Sequence, residues 1–364
     1  MMKNLVLFLA LLFCQLTFSQ SFTFETVTAL NEDLSETSGL IWLEDRLISH
    51  NDSGDDHFLY EVDPLTGEIS RQVVVVNAAS SDWEDICADE NYIYIGDFGN
   101  NAGTRTDLRI YRVSIDSYLS ALNDTVYCDT ILFNYSDQLS FEPATYTTNF
   151  DAEALIAYND SLYIFTKNWG NYKTNIYSLP KSPGTYSISK IDSIDTEGLV
   201  TGAVYNPESE EIILTGYTIF DPFIYYISDF SGNNFSDGSN MRVAPSFEGS
   251  IQIEGIAAFD AHQYYVSSEK MGADASILHR LKLTDFVEIS ANDVFEILVY
   301  PNPIGDLLTI KNTDVKEVNI FTTKGELVLT SNQSSINTEH LKRGTYLVQV
   351  ISNDNKTILL QIVK

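Results

Sequence analysis

Residues 82–97 read Asp82-Trp83-Glu84-Asp85-Ile86-Cys87-Ala88-Asp89-Glu90-Asn91-Tyr92-Ile93-Tyr94-Ile95-Gly96-Asp97. An acidic opening leads into a short apolar run, a polar turn and a second apolar run that ends on a carboxylate. That pattern describes a β-hairpin whose first strand starts among acids. It recurs. Glu36-Thr37-Ser38-Gly39-Leu40, Asp151-Ala152-Glu153-Ala154-Leu155 and Gln252-Ile253-Glu254-Gly255-Ile256 open comparable segments. A weaker copy lies at Asp195-Thr196-Glu197-Gly198-Leu199 or just after it. Second strands follow at 46–49, 92–96, 161–166, 211–216 and 263–267, and third strands at 58–62, 108–113, 175–179, 223–227 and 277–281. Fourth strands read at 69–76, 125–133, 186–191 and, less distinctly, 241–244.

Four short antiparallel strands, repeating every ~45–70 residues, predict an all-β fold of the β-propeller type. Five blades are counted; six would follow if residues 134–149 held further strands, and a β-sandwich is the runner-up. The fifth repeat lacks a fourth strand, while residues 22–27 alternate with period two and stand unpaired. Ring closure by that segment would remove an exposed edge.

The chain of 364 residues has room for about two domains. Lys and Arg number 21 against 51 Asp and Glu, a net charge of −30. Such a balance excludes binding driven by neutralising nucleic-acid phosphates and excludes a polybasic membrane-surface protein. A hydrophobic content of 44% and an aromatic content of 12% exclude a disordered acidic chain. Residues 295–364 carry seven basic and seven acidic groups, so residues 21–294 hold a net −31. The expected division is a signal peptide at 1–20, a propeller at 21–285, a linker at 286–296 and a second domain at 297–364.

Lys3 followed by the apolar run 5–12 reads as a secretory leader, too short to span a bilayer. No later stretch reaches 18 apolar residues, so no transmembrane segment is expected in the mature chain. Cys87 and Cys128 fall on the first and fourth strands of one blade. Three strand spacings separate those positions by about 14 Å, beyond disulfide reach, so two free buried thiols are expected.

The C-terminal residues carry a resemblance. Val299-Tyr300-Pro301-Asn302-Pro303, Asp306-Leu307-Leu308-Thr309-Ile310, Val318-Asn319-Ile320-Phe321-Thr322-Thr323-Lys324-Gly325 and Leu341-Lys342-Arg343-Gly344-Thr345-Tyr346-Leu347-Val348-Gln349-Val350 stand in that order. They resemble the type A C-terminal sorting domain of the type IX secretion system of Bacteroidetes. Read from the residues alone, they describe a small immunoglobulin-like β-sandwich, with Lys324-Gly325 as a hairpin turn. The resemblance implies engagement with the type IX machinery, export across the outer membrane, and release or display on the cell surface.

In a propeller, the turns before each first strand and the loops between second and third strands share one face. Asp82, Glu84, Asp151, Glu153 and Glu254 should meet there, joined at the rim by Asp85 and by Glu36 or Glu197. The second-to-third loops add Asp52, Asp97 and Glu269. Carboxylates on one axis repel unless protonated or joined by a cation, and an oxygen-only ligand set suits calcium. Turn-capping and salt bridges are the bland alternative. Arg105, Lys167 and Lys270 lie on the same face and could hold an anionic part of an extracellular ligand, with Trp169 or Trp83 stacking on it. Asn51-Asp52-Ser53-Gly54, Asp82-Trp83-Glu84-Asp85-Ile86 and Asp151-Ala152-Glu153-Ala154-Leu155 resemble a broad group of bacterial propellers, some similar to calcium-dependent β-propeller phytases. The expected function is a secreted or surface propeller that binds a ligand, with calcium as the candidate cofactor; the alternative is a calcium-dependent phosphoesterase or related hydrolase. No nucleophile elbow, phosphate loop or dinucleotide fingerprint is present.

Overall fold

The computed structural model describes residues 21–364 except 53–54, 219–220, 246–250, 270–273, 285–297, 312–313, 323–326 and 354–356. The leader, the whole of the linker, Lys270 and the turn at Lys324-Gly325 therefore lie outside the described residues. The chain divides into a unit ending at Phe286 and a unit starting at Val287. No helix among the described residues is long and apolar enough to cross a membrane.

Five sheets, antiparallel except for one parallel edge strand in each of two, build the first unit among the described residues. The innermost strand of each is Thr37–Leu43, Trp83–Ala88, Ala152–Tyr158, Leu199–Asn206 or Ile253–Ala258. Each inner strand touches the inner strands on both sides, and the last touches the first, so the five form a closed ring. The arrangement is propeller-like. The second and third strands lie where the repeat places them. Residues 134–149 supply no strand beyond Tyr135, the end of the strand Cys128–Tyr135.

Two fourth strands differ from the sequence reading. The run 125–133 splits: Thr125–Val126 adds a parallel edge to the first sheet, and Cys128–Tyr135 is the fourth strand of the second. The run 186–191 splits likewise. Gly184–Ile188 lies parallel to Cys128–Tyr135, and Lys190–Ile194 completes the third sheet. Each spare segment covers an outer edge that would otherwise expose unpaired backbone groups.

Ser21–Ala29 pairs antiparallel with Ile277–Thr284 and supplies the missing fourth strand of the fifth sheet. Phe22 and Phe24 pack against the cluster of Ile253, Ile256, Leu281 and Leu283, which also includes Ile213 and Ile224 of the fourth sheet. Cys87 and Cys128 are free and buried. They belong to different apolar clusters.

The C-terminal unit has a three-stranded and a four-stranded sheet. Thr345–Ser352 alternates strictly between half-buried and buried residues, which commits one face to the core of Leu308, Ile310, Val318, Ile320, Val348 and Val350. The Pro-Asn-Pro segment is tied to the last strand: the Val363 amide donates to Asn302 Oδ1 at 2.9 Å, and the Ile304 amide donates to the Val363 carbonyl at 2.6 Å.

Removing residues 21–29 should expose the long edge of Ile277–Thr284 and cost on the order of several kcal/mol through lost apolar burial and ladder bonds. Thermal melts of chains beginning at Ser21 and at Leu30 would measure this. Equal melting temperatures would mean that the strand contributes nothing to closure.

Candidate functional site

Each inner strand carries a β-bulge near its N-terminal end. The register slips between Thr37 and Leu40, Trp83 and Asp85, Ala152 and Ala154, Val200 and Gly202, and Ile253 and Ile256. The bulged residues are therefore Ser38, Glu84, Glu153, Thr201 and Glu254. The weak repeat copy thus lies at Val200-Thr201-Gly202-Ala203, just after the acidic stretch at 195–199. A bulge leaves its residue outside the ladder and re-aims its side chain. Here it turns three glutamates and two hydroxyls toward what we call the bulge face. Ser38 Oγ donates to the Glu84 carbonyl, and Thr201 Oγ1 donates to the Ile253 carbonyl, linking neighbouring sheets.

The residue after the bulge faces the ring axis and is small in four sheets: Gly39, Ala154, Gly202 and Gly255. A Cβ on Gly255 would lie 2.2 Å from the Ser38 carbonyl oxygen, and one on Gly202 would lie 2.4 Å from that of Glu254. The fifth such residue is Asp85, fully buried. Its Oδ2 accepts the amides of Leu155 at 2.7 Å and Ala203 at 3.2 Å, and its Oδ1 accepts the Ile86 amide at 2.8 Å. Asp85 is therefore a tie between three inner strands and not a rim carboxylate, contrary to the sequence expectation. Burial pushes its carboxyl well above the usual range, against the three amide donors.

The remaining acids separate according to their partners. Asp151 accepts Trp169 Nε1 at 2.8 Å and the Asn100 amide at 2.5 Å. Glu153 pairs with Lys167 at 3.2 Å. Glu254 accepts Gln252 Nε2 at 2.7 Å, and the same nitrogen reaches Glu269 at 3.0 Å. Glu84 differs. It is 4% exposed, and its Oε1 is buried with no hydrogen-bond partner. Burial first, then the fields of Asp52, Glu153, Asp82 and Asp151, raise its carboxyl well above the ordinary range.

Glu84, Asp82 and Asp52 each place a carboxylate oxygen within 4.8 Å of the others. Asp52 also belongs to a second group with Glu36 and Glu269. Gly99 leaves room over the first group: a Cβ there would fall 1.9 Å from Glu84 Oε1 and 2.5 Å from Asp82 Oδ2. Burial and the charges of Asp82 and Glu269 push Asp52 up to about 8; burial and Glu36 push Glu269 up to about 7. Oxygens bound to one calcium at about 2.4 Å each can lie no farther apart than about 4.8 Å. The three-carboxylate group thus fits a hard cation, with water completing its shell.

The set expected from sequence, Asp82, Glu84, Asp151, Glu153 and Glu254, is accordingly divided. Only Asp82 and Glu84 join a cation-sized group, and Asp52 is the partner the sequence set omitted. Glu197 is exposed. The basic and aromatic residues are also engaged. Lys167 is 5% exposed and sits 5.1 Å from the Trp169 ring centre and 5.3 Å from that of Tyr217. Burial alone would lower its ammonium, but Glu153, Tyr217 and Glu254 outweigh that and hold it well above its usual value. Arg105 pairs with Asp97 at 2.9 Å and Asp107 at 3.2 Å and donates to the Gly99 carbonyl. Trp83 is a core residue, 1% exposed. In a buried acidic region these cations serve the acids first, and no free anion clamp remains among the described residues.

Residues 298–364 match the family profile of the secretion system C-terminal sorting domain, that of type IX secretion. No curated protein matches the sequence. Solved structures that align with this chain include the PQQ-bound aldose sugar dehydrogenase of Streptomyces coelicolor (12% identity, TM-score 0.45, covering 74% of this chain and 100% of that one). A glucose dehydrogenase aligns at 9% identity and TM-score 0.43, covering 71% of this chain and 99% of its own. The GH43_1 enzyme of Xanthomonas citri aligns at 12% and 0.41, covering 73% and 90%. At these identities and TM-scores no role and no residue correspondence follows from the alignments.

Asp52 and Glu269 keep their protons to about 8 and about 7 in the fold, from ordinary values of 3.8 and 4.5. Between those limits the folded state binds more protons than the unfolded, so this contribution is complete below about pH 4 and is lost as pH rises through about 8. With divalent cations chelated, the melting temperature should fall from pH 5 to pH 8.5, and Asp52→Asn should flatten the upper part of the fall. Melting temperatures that rise over this interval in chelator would contradict the assignment.

Proposed function

We propose that the protein is a secreted or surface-displayed five-bladed β-propeller that binds an extracellular ligand at its bulge face through a divalent cation, with calcium as the ion. Glu84, Asp82 and Asp52 would hold the cation. The sorting domain at 298–364 directs the chain to type IX secretion and so to the medium or the cell surface. The observation that carries the cation reading is Glu84 Oε1, a buried carboxylate oxygen with no hydrogen-bond donor, facing two other carboxylates. Bulk calcium outside the cell is a ready counter-charge for such a group. When bound, the ion would supply open coordination positions for oxygen atoms of a ligand. Gly99 would keep the approach clear, and Arg105 would orient Asp97 and the 99–105 loop beside it.

Binding is favoured over phosphate-ester hydrolysis. A calcium-dependent phosphoesterase needs free basic groups beside the cation to take up charge on the transferring phosphoryl group. Arg105 and Lys167 are spent on Asp97, Asp107 and Glu153.

A ligand that binds only the native state stabilises by about 2.7 kcal/mol at 100 times its Kd. Calcium added to chelator-treated protein should therefore raise the melting temperature, and calorimetry should give a saturable isotherm lost in Glu84→Gln. If calcium leaves the wild type unmoved while Glu84→Gln melts higher, the carboxylates only repel one another and the cation reading fails. For the sorting domain, expression of a chain ending at residue 297 should leave a folded propeller inside the cell envelope, measured by fractionation. Normal arrival in the medium would refute the export route.

A further inference from the structure

The opposite end of the ring holds a cavity of about 730 Å³. It begins past the tier of Gly39, Asp85 and Gly202, where the inner strands close on one another, and opens among the hairpins that join first and second strands. Its space comes from small residues at the C-terminal halves of the inner strands, among them Ala88, Ala157 and Ala258, and Trp42 and Phe259 complete the apolar wall. A volume of this size suits a small organic molecule.

The five hairpin turns are residues 44–45, 89–91, 159–160, 207–210 and 259–262. Eight of these fifteen residues are Asp or Glu, and none is Lys or Arg. Turn chemistry accounts for part of this: Asp89 accepts the Asn91 and Tyr92 amides, and Asp260 accepts the His262 amide. It accounts for Asp160 in the two-residue turn Asn159-Asp160, but not for Glu90 and Glu208. Glutamate is no turn former, and the carboxylates of Glu90, Asp160 and Glu208 are all exposed at the mouth with no side-chain hydrogen bond or ion pair among the described residues. The one cation lining the cavity, Lys181, already pairs with Asp89 at 2.9 Å. Apolar walls under a ring of carboxylates complement a molecule with an apolar body and a positive head.

We infer that this hairpin-face cavity is a second binding site, for a small organic cation whose aliphatic or aromatic body enters the channel while its ammonium or guanidinium group meets Glu90, Asp160 and Glu208. The site is separate from the bulge-face carboxylates, since the Asp85 tier lies between them.

Hexylammonium is a suitable probe, titrated into the full chain near pH 7 with Trp fluorescence and calorimetry as readouts, and hexanoate is its charge-reversed control. Saturable binding of hexylammonium and none of hexanoate is expected. The surface double variant Glu90→Gln/Glu208→Gln should weaken binding by about tenfold. Ala157→Leu, checked for an unchanged melting temperature, should weaken it by filling the wall. Glu84→Gln should leave it unaltered, which separates this site from the bulge face. Equal uptake of hexanoate, no saturation by hexylammonium, or undiminished binding in the double glutamine variant would overturn the inference.

Discussion

The rest of the first unit depends on how closely its five inner strands approach at one tier. At Gly39, Gly202 and Gly255 a neighbouring strand occupies the place where a Cβ would stand. The one long side chain admitted there, Asp85, enters because it satisfies amides of strands from three sheets. Inner strands have a partner on one side only, so their inward amides need acceptors. A carboxylate on the axis supplies them where no strand can. The bulges follow from the same convergence: each strand is re-aimed just before the tier, and the re-aimed residues form the bulge face.

That geometry concentrates acid in a buried place, and the chain answers with a separate device for each group. Lys167 serves Glu153, Gln252 serves Glu254 and Glu269, and the Trp169 indole serves Asp151. Arg105 serves Asp97. Glu84 and Asp52 are left with neighbours largely of their own sign, each with a buried oxygen that no donor reaches. The five sheets share the bulge but not its residue, which is Glu in three and Ser or Thr in two. The Glu84 and Asp52 oxygens that lack donors stand together in the three-carboxylate group.

Much of the architecture was legible in the sequence because period-two strands and their spacing are local signals. The second and third strands of every sheet were read directly, as was closure by the segment at 22–27. The outer strands were less legible. Residues 125–133 and 186–191 each look like one run, yet each divides between two sheets, and nothing local distinguishes an edge cover from a fourth strand. Site composition was legible only in part. Glu84, Glu153 and Glu254 are aligned in the repeat, but whether each is neutralised depends on Lys167, Gln252 and their placement across sheets. Asp52 joins Glu84 only through the ring. Asp85 had a readable sign that was missed: it alone is charged where the other copies carry Gly or Ala.

The seam formed by Ser21–Ala29 and Ile277–Thr284 has a consequence in time. Thr26 and His279 are separated by 253 positions and lie side by side in the ladder. Contacts so remote in sequence form late, because the intervening chain must first be made and brought together. Four sheets can assemble as each hairpin emerges, whereas the fifth waits for both of its ends. Until residues 277–284 are made, residues 21–29 have no strand to pair with and the fifth sheet is incomplete. A chain that carries an export sorting domain must therefore have its whole first unit made before this edge can be covered.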